Sequence, residues 1–197
     1  MNKFSGEVPV FLMRHIRNLC SLCLAVSLGT VAPAQTPTNM IGKDLTGWVN
    51  RGGKAVYTIE KGEIVGTAVL NSPNSFLCTE KSYGDFILEY DFKVDPRLNS
   101  GVQIRSECFD AKTQIEWRGK KINIPAGRVH GYQVEIDPDP KRDRWWTGGI
   151  YDEGRRDWLF PGPLGGNGKA FTEAGRKLFK QDGWNHIRVE AVGEPHH

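Results

Sequence analysis

The strongest hydrophobic pattern along the chain has a period of two. Phe86, Leu88, Tyr90, Phe92 and Val94 alternate with Ile87, Glu89, Asp91, Lys93 and Asp95. Side chains alternate across a strand, so five large apolar residues at this spacing predict one face sealed against a core. Val56 to Ile59 and Glu63 to Val65 flank Lys61-Gly62 and predict a hairpin. Phe76 to Thr79 and Trp184 to Val192 read as two further strands. Two strands carry the opposite balance. Between Asn99 and Glu107, Val102 and Ile104 face inward while Asn99, Gly101, Gln103 and Arg105 share the other side. In Gly131-Tyr132-Gln133-Val134-Glu135-Ile136-Asp137, the apolar face is Tyr132, Val134 and Ile136, and the polar face is Gln133, Glu135 and Asp137. Pro138-Asp139-Pro140 then breaks the pairing pattern. Residues 111–129 read as a long excursion, and 169–181 as the only helix, with Phe171, Leu178 and Phe179 on its buried side. Many short strands, turn signals between them and almost no helix predict an all-β sandwich.

The N-terminus follows another pattern. Arg14, His15 and Arg17 precede an apolar run from Leu19 to Leu28, and Ala32-Pro33-Ala34 supplies small residues. This order reads as a secretory signal peptide over residues 1–34, with Met13 as an alternative start. The apolar run is too short to span a bilayer. Residues 35–40 then form a linker and 41–197 the domain, exported to the periplasm or exterior of a bacterial cell. The formal charge of +3 falls to about +1 without Lys3, Glu7, Arg14 and Arg17, which excludes an electrostatic footprint for nucleic acid or anionic membrane. Two of the four cysteines leave with the leader. Cys78 and Cys108 remain and could pair in an oxidising compartment.

The polar strand faces suit a sugar, since amides and carboxylates bind hydroxyls and aromatic rings cover pyranose faces. Trp145, Trp146, Tyr151 and Trp158 are the candidate rings, weighed against ordinary core or rim positions. Glu135 and Asp137, two residues apart on a strand, stand about 6–7 Å apart along it. That spacing permits paired carboxylate chemistry without selecting a stereochemical outcome. Glu135-Ile136-Asp137 also resembles the start of the active-site strand of laminarinase-type jelly-roll endoglucanases. Pro138, Asp139 and Pro140 stand where those enzymes place their second glutamate, which argues against an ordinary endoglucanase. Asp137, Asp139 and Asp143 are oxygen donors of the kind that bind calcium, but their spacing fits no loop motif. No cofactor is therefore expected. The histidines show no metal-ligand spacing, and no nucleophile elbow, phosphate loop or dinucleotide fingerprint occurs.

Six motifs in order carry a resemblance. Asp44-Leu45-Thr46-Gly47-Trp48, Tyr83-Gly84-Asp85-Phe86, Asn99-Ser100-Gly101-Val102, Gly131 to Asp137, Gly148-Gly149-Ile150-Tyr151-Asp152-Glu153 and Gly183-Trp184-Asn185 together resemble the 3-keto-disaccharide hydrolase domain of secreted bacterial proteins. The resemblance runs from about Ile41 to Val192. It implies a concanavalin A-like lectin/glucanase jelly roll acting on glycosides oxidised to a ketone at sugar carbon 3. It also implies closing strands beyond Gly193 that this sequence lacks. The ketone makes the carbon 2 hydrogen acidic, so elimination across C1–C2 followed by hydration gives net hydrolysis. On strand faces, Glu135 is the expected acid/base, with Gln133 and Asp137 orienting hydroxyls. Arg105 is expected to stabilise the enolate beside Asn99 and Gln103. Tyr151, Asp152, Arg155 and Trp146 are expected in the wall. The rival reading is a non-catalytic carbohydrate-binding module on the same fold.

Overall fold

The computed structural model describes residues 8–20, 36–117 and 119–193. Its strands are β1 (Val10–Cys20), β2 (Thr38–Asn39), β3 (Trp48–Gly52), β4 (Val56–Glu60), β5 (Glu63–Thr67), β6 (Ser75–Thr79), β7 (Phe86–Val94) and β8 (Ser100–Cys108). Then follow β9 (Thr113–Trp117), β10 (Lys120–Ile124), β11 (Val129–Ile136), β12 (Pro138–Asp139), β13 (Arg144–Trp145), β14 (Ile150–Glu153), β15 (Asp157–Phe160) and β16 (Asn185–Ala191). One helix, α1 (Gly168–Leu178), lies between β15 and β16. All pairings are antiparallel, in an all-β jelly-roll sandwich.

The larger sheet runs β16-β7-β1-β5-β4, with β2 also beside β1, and the smaller runs β15-β14-β11-β8. The alternation of β7 is carried through strictly, every second residue being buried. Tyr90, Phe92 and Val94 meet Val134 and Ile136 of β11 in one core, with Val102, Ile104 and Ile150 packed against it. Each fully buried large side chain there is worth about 1.5–3 kcal/mol of transfer free energy. The β4–β5 hairpin turns at Lys61-Gly62, both at positive φ. The excursion between β8 and β11 is partly ordered by the β9–β10 hairpin.

One expectation is corrected. The helix buries none of its residues, and Leu178 is 76% exposed. Phe179 just beyond its end packs on Phe92 and Trp145 instead, and Phe171 packs on Phe160. Val10–Cys20, assigned from sequence to a leader, is a strand in the middle of the larger sheet, between β7 and β5. Phe11 and Met13 pair with Val94 and Phe92 and join the core, with Ile16 3% exposed. A register shift between Arg14 and Arg17, with His15 at φ 53°, breaks the alternation that would have announced this strand. Residues 21–34, including the small residues Ala32-Pro33-Ala34, lie outside the described residues, as do 194–197.

Candidate active site

Register brings the two polar strand faces together. Directly opposed residues of an antiparallel pair share a face, and Gln133 stands opposite both Gln103 of β8 and Tyr151 of β14. Gln103 Nε2 donates to Gln133 Oε1 at 2.7 Å, and Ser106 Oγ donates to Gln103 Oε1 at 2.6 Å. Gly101 stands opposite Glu135, and a Cβ there would come within 2.6 Å of the Gln133 side chain. The Asn-Ser-Gly-Val motif thus leaves room for Gln133 to lie flat across β8. Gly149 has a similar reason, since a Cβ would meet the Phe160 carbonyl oxygen and the Trp158 ring at 2.9 Å.

Glu135 is the centre of this face. It is 2% exposed, and each carboxylate oxygen has an amide donor. Asn99 Nδ2 donates to Oε1 at 2.6 Å, and Gln133 Nε2 to Oε2 at 2.6 Å. Burial pushes its pKa up to about 7; the two amide bonds pull it down, and the charges of Asp137 and Glu153 push it further up. Asp137, 3% exposed, accepts from Asn99 Nδ2 at 3.3 Å and from Arg144 Nε at 2.5 Å. Its backbone N–H donates to Thr147 Oγ1 at 3.1 Å. Trp146 and Trp158 meet edge-to-face at 4.7 Å, and the Arg144 guanidinium lies 5.5 Å from each ring. Tyr151 packs edge-on against Trp158 and donates its hydroxyl to Asp157 at 2.9 Å. Trp146 Nε1 donates to Thr172 of α1 at 3.0 Å.

The predicted residues divide accordingly. Glu135, Asp137, Gln133, Gln103, Asn99, Tyr151 and Trp146 are held in one connected patch. Arg105 is turned out of it by a φ of 46°, and its guanidinium binds Asp85 at 3.0 Å beside the start of β7. Asp152 stands opposite Tyr132, on the face turned away from Gln133. There it is fully buried between Arg155, at 2.7 Å, and Arg156, both of which lie over the Tyr132 ring. Asp152 and Arg155 therefore form a structural ion cluster on the inner side of β14. The aspartates considered for calcium are each matched by an arginine: Asp137 by Arg144, Asp139 by Arg142 and Asp143 by Arg176. Cys78 and Cys108 are free thiols; burial raises the Cys78 pKa, with Arg51 opposing and Cys108 reinforcing the shift.

Sequence reasoning missed Arg144 and Glu153. Arg144 faces Asp139 across the short β12–β13 pairing, so the Pro-Asp-Pro turn that ended the strand was itself the signal of a returning hairpin. Glu153 follows Tyr151 by two residues, on the same face of β14, and is 6% exposed with Arg128 on its Oε1 and Asn74 at 3.5 Å. One cavity, of about 530 Å³, runs along the free edge of β8 toward β6 and the core, and reaches the patch at Gly101 and Gln103. A second, of about 560 Å³, lies around Asn39, Trp48 and Tyr83.

The sequence profile of the 3-keto-alpha-glucoside-1,2-lyase-like domain matches residues 36–195. The chain belongs to this family. No curated protein matches it. The lyase-like domain, as matched, takes in both faces of the candidate site and every strand except β1, which precedes its first residue. Membership places the chain among domains named for action on glycosides, and makes a sugar its expected substrate class.

Proposed function

We propose that the protein cleaves glycosides carrying a ketone at sugar carbon 3, by elimination across C1–C2 followed by hydration, with Glu135 as the general base. The observation that carries this reading is a carboxylate 2% exposed, held between two amides, with a pKa raised to about 7. A base of that strength is half ionised near neutrality, where proton abstraction beside a carbonyl is most efficient. The name of the family supports a lyase step.

The chemistry balances without an external oxidant or reductant. Glu135 takes the carbon 2 proton, and its electron pair moves into the C2–C3 bond as the ketone oxygen becomes an enolate oxygen. The enolate re-forms the carbonyl, a C1–C2 double bond is made, and the C1–O bond breaks. The departing oxygen takes a proton, and water adding across the new double bond completes a net hydrolysis. Gln133 and Asn99 each donate to one Glu135 oxygen in the resting state, which leaves each oxygen a further lone pair to receive the proton. The indole pair Trp146 and Trp158 suits the apolar face of the pyranose. We place the activity in the periplasm or outside the cell, supported by the basic, apolar, small order of residues 14–34.

A carbohydrate-binding module is the second reading, favoured by the amide donor that ties down each Glu135 oxygen. Incubation with a 4-nitrophenyl 3-keto-α-glucoside separates the two. Release of nitrophenol that falls 10²–10⁴-fold in Glu135→Gln is expected for a general base. Saturable binding without release would replace the enzyme reading with the lectin one.

A further inference from the structure

Arg144 is tied to Glu135 by an unbroken chain of contacts. Its Nε donates to Asp137 Oδ2 at 2.5 Å, Asn99 Nδ2 reaches Asp137 Oδ1 at 3.3 Å, and the same nitrogen reaches Glu135 Oε1 at 2.6 Å. Both carboxylates are nearly inaccessible, at 2% and 3%, so little water screens one from the other. The Arg144 guanidinium is fixed from its other side by Trp146 and Trp158.

We infer that Arg144 is a positioning residue for Glu135, acting through Asp137 and Asn99 rather than by touching the reacting atoms. The inference rests on Glu135 being the working base. Asn99 offers one amide nitrogen to two carboxylates. With Arg144 in place, the charge of Asp137 is answered and the shorter bond goes to Glu135. Without it, Asp137 draws the amide toward itself and its unbalanced charge opposes ionisation of Glu135. Both effects move Glu135 toward ionising at higher pH. The other groups facing Glu135 are Gln133 on its own strand, Gln103 from β8, and Tyr151 and Glu153 from β14. Of these only Glu153 is a carboxylate, and its own partner is Arg128.

The test uses the full chain, reading Glu135 by carboxyl ¹³C NMR titration and turnover by the pH profile of kcat on a 3-keto-glucoside. Arg144→Met is expected to move the titration and the acid limb to higher pH. A shift of one unit lowers kcat about tenfold below the limb, with KM altered much less. Arg144→Met/Asp137→Asn removes both charges and is expected to return the midpoint toward that of the unaltered protein. Asp137→Asn alone, which keeps a side chain of the same shape should Arg144→Met fail to fold, is expected to move it to lower pH. An unmoved midpoint in these variants overturns the inference, and so does a rise in KM at unchanged kcat in Arg144→Met, which would put the guanidinium on the substrate. The titration needs no substrate, so failure of the lyase reading, shown by full activity in Glu135→Gln, is distinguishable from failure of the positioning role.

Discussion

At the scale of single residues, Glu135 couples activity to stability. Its folded-state pKa of about 7 lies above the ordinary value of 4.5, so the native state binds more protons than the unfolded chain between those values. Native stability therefore falls as pH rises from about 4.5 through 7, by roughly 3 kcal/mol in all. Glu135→Gln keeps the shape and removes the charge. It is expected to melt higher than the unaltered protein at pH 8 and close to it at pH 4.5, which thermal unfolding at the two pH values would check. Equal melting temperatures at pH 8 would mean the carboxylate is not strained by its burial. The Asp152 cluster should behave differently. Asp152→Ala leaves two nearly buried guanidinium groups without a counter-charge, and the expected cost is about 3–5 kcal/mol, read from denaturant midpoints. That cost falls on the fold, because Asp152 faces away from Gln133.

At the scale of strands, most of the candidate site was legible because period two is a direct readout of which face a side chain occupies. Spacing puts Asn99 and Gln103 on the polar face of one strand and Gln133 and Glu135 on that of another, and the register of β8 against β11 sets the two faces side by side. The alternation also contained the correction for Asp152, since a residue beside Tyr151 must point the other way. What spacing could not reveal is local reversal. Arg105 sits in a regular-looking alternation but adopts φ 46°, and Gly131 at φ 139° accompanies a register shift between His130 and Tyr132. Bulges change the phase of everything beyond them. Arg144 was missed for the opposite reason: its strand is two residues long, and its link to Asp137 arises from a hairpin that no hydrophobic period marks. Gly101→Ala gives a test at this scale. The added methyl meets the Gln133 side chain, so it is expected to lower turnover at least as strongly as it lowers stability. Full activity in that variant would show that Gln133 need not lie across β8.

For the whole molecule, the sandwich class was legible in β7 and the run of turns, whereas the pairing of Val10–Cys20 within the larger sheet was not. A chain lacking residues 1–34 loses β1 and separates β7 from β5, which both pair with it. Phe11, Met13 and Ile16 leave the core with it. Two unpaired edges over an opened apolar layer favour association. The shortened chain is expected to show a lower melting temperature and concentration-dependent aggregation, measured by scattering beside the full chain. Equal stability would mean the sheet closes without this strand.

The central placement of β1 sets timing against architecture. If the first 34 residues serve as an export address, they must be read while Val10–Cys20 is still unpaired, because once docked that stretch is the middle ply of the sheet. A peptidase that then cuts at Ala34 discards a structural member along with the address. Sequencing the first residues of the protein recovered from each compartment would show which of the two uses the cell makes of them.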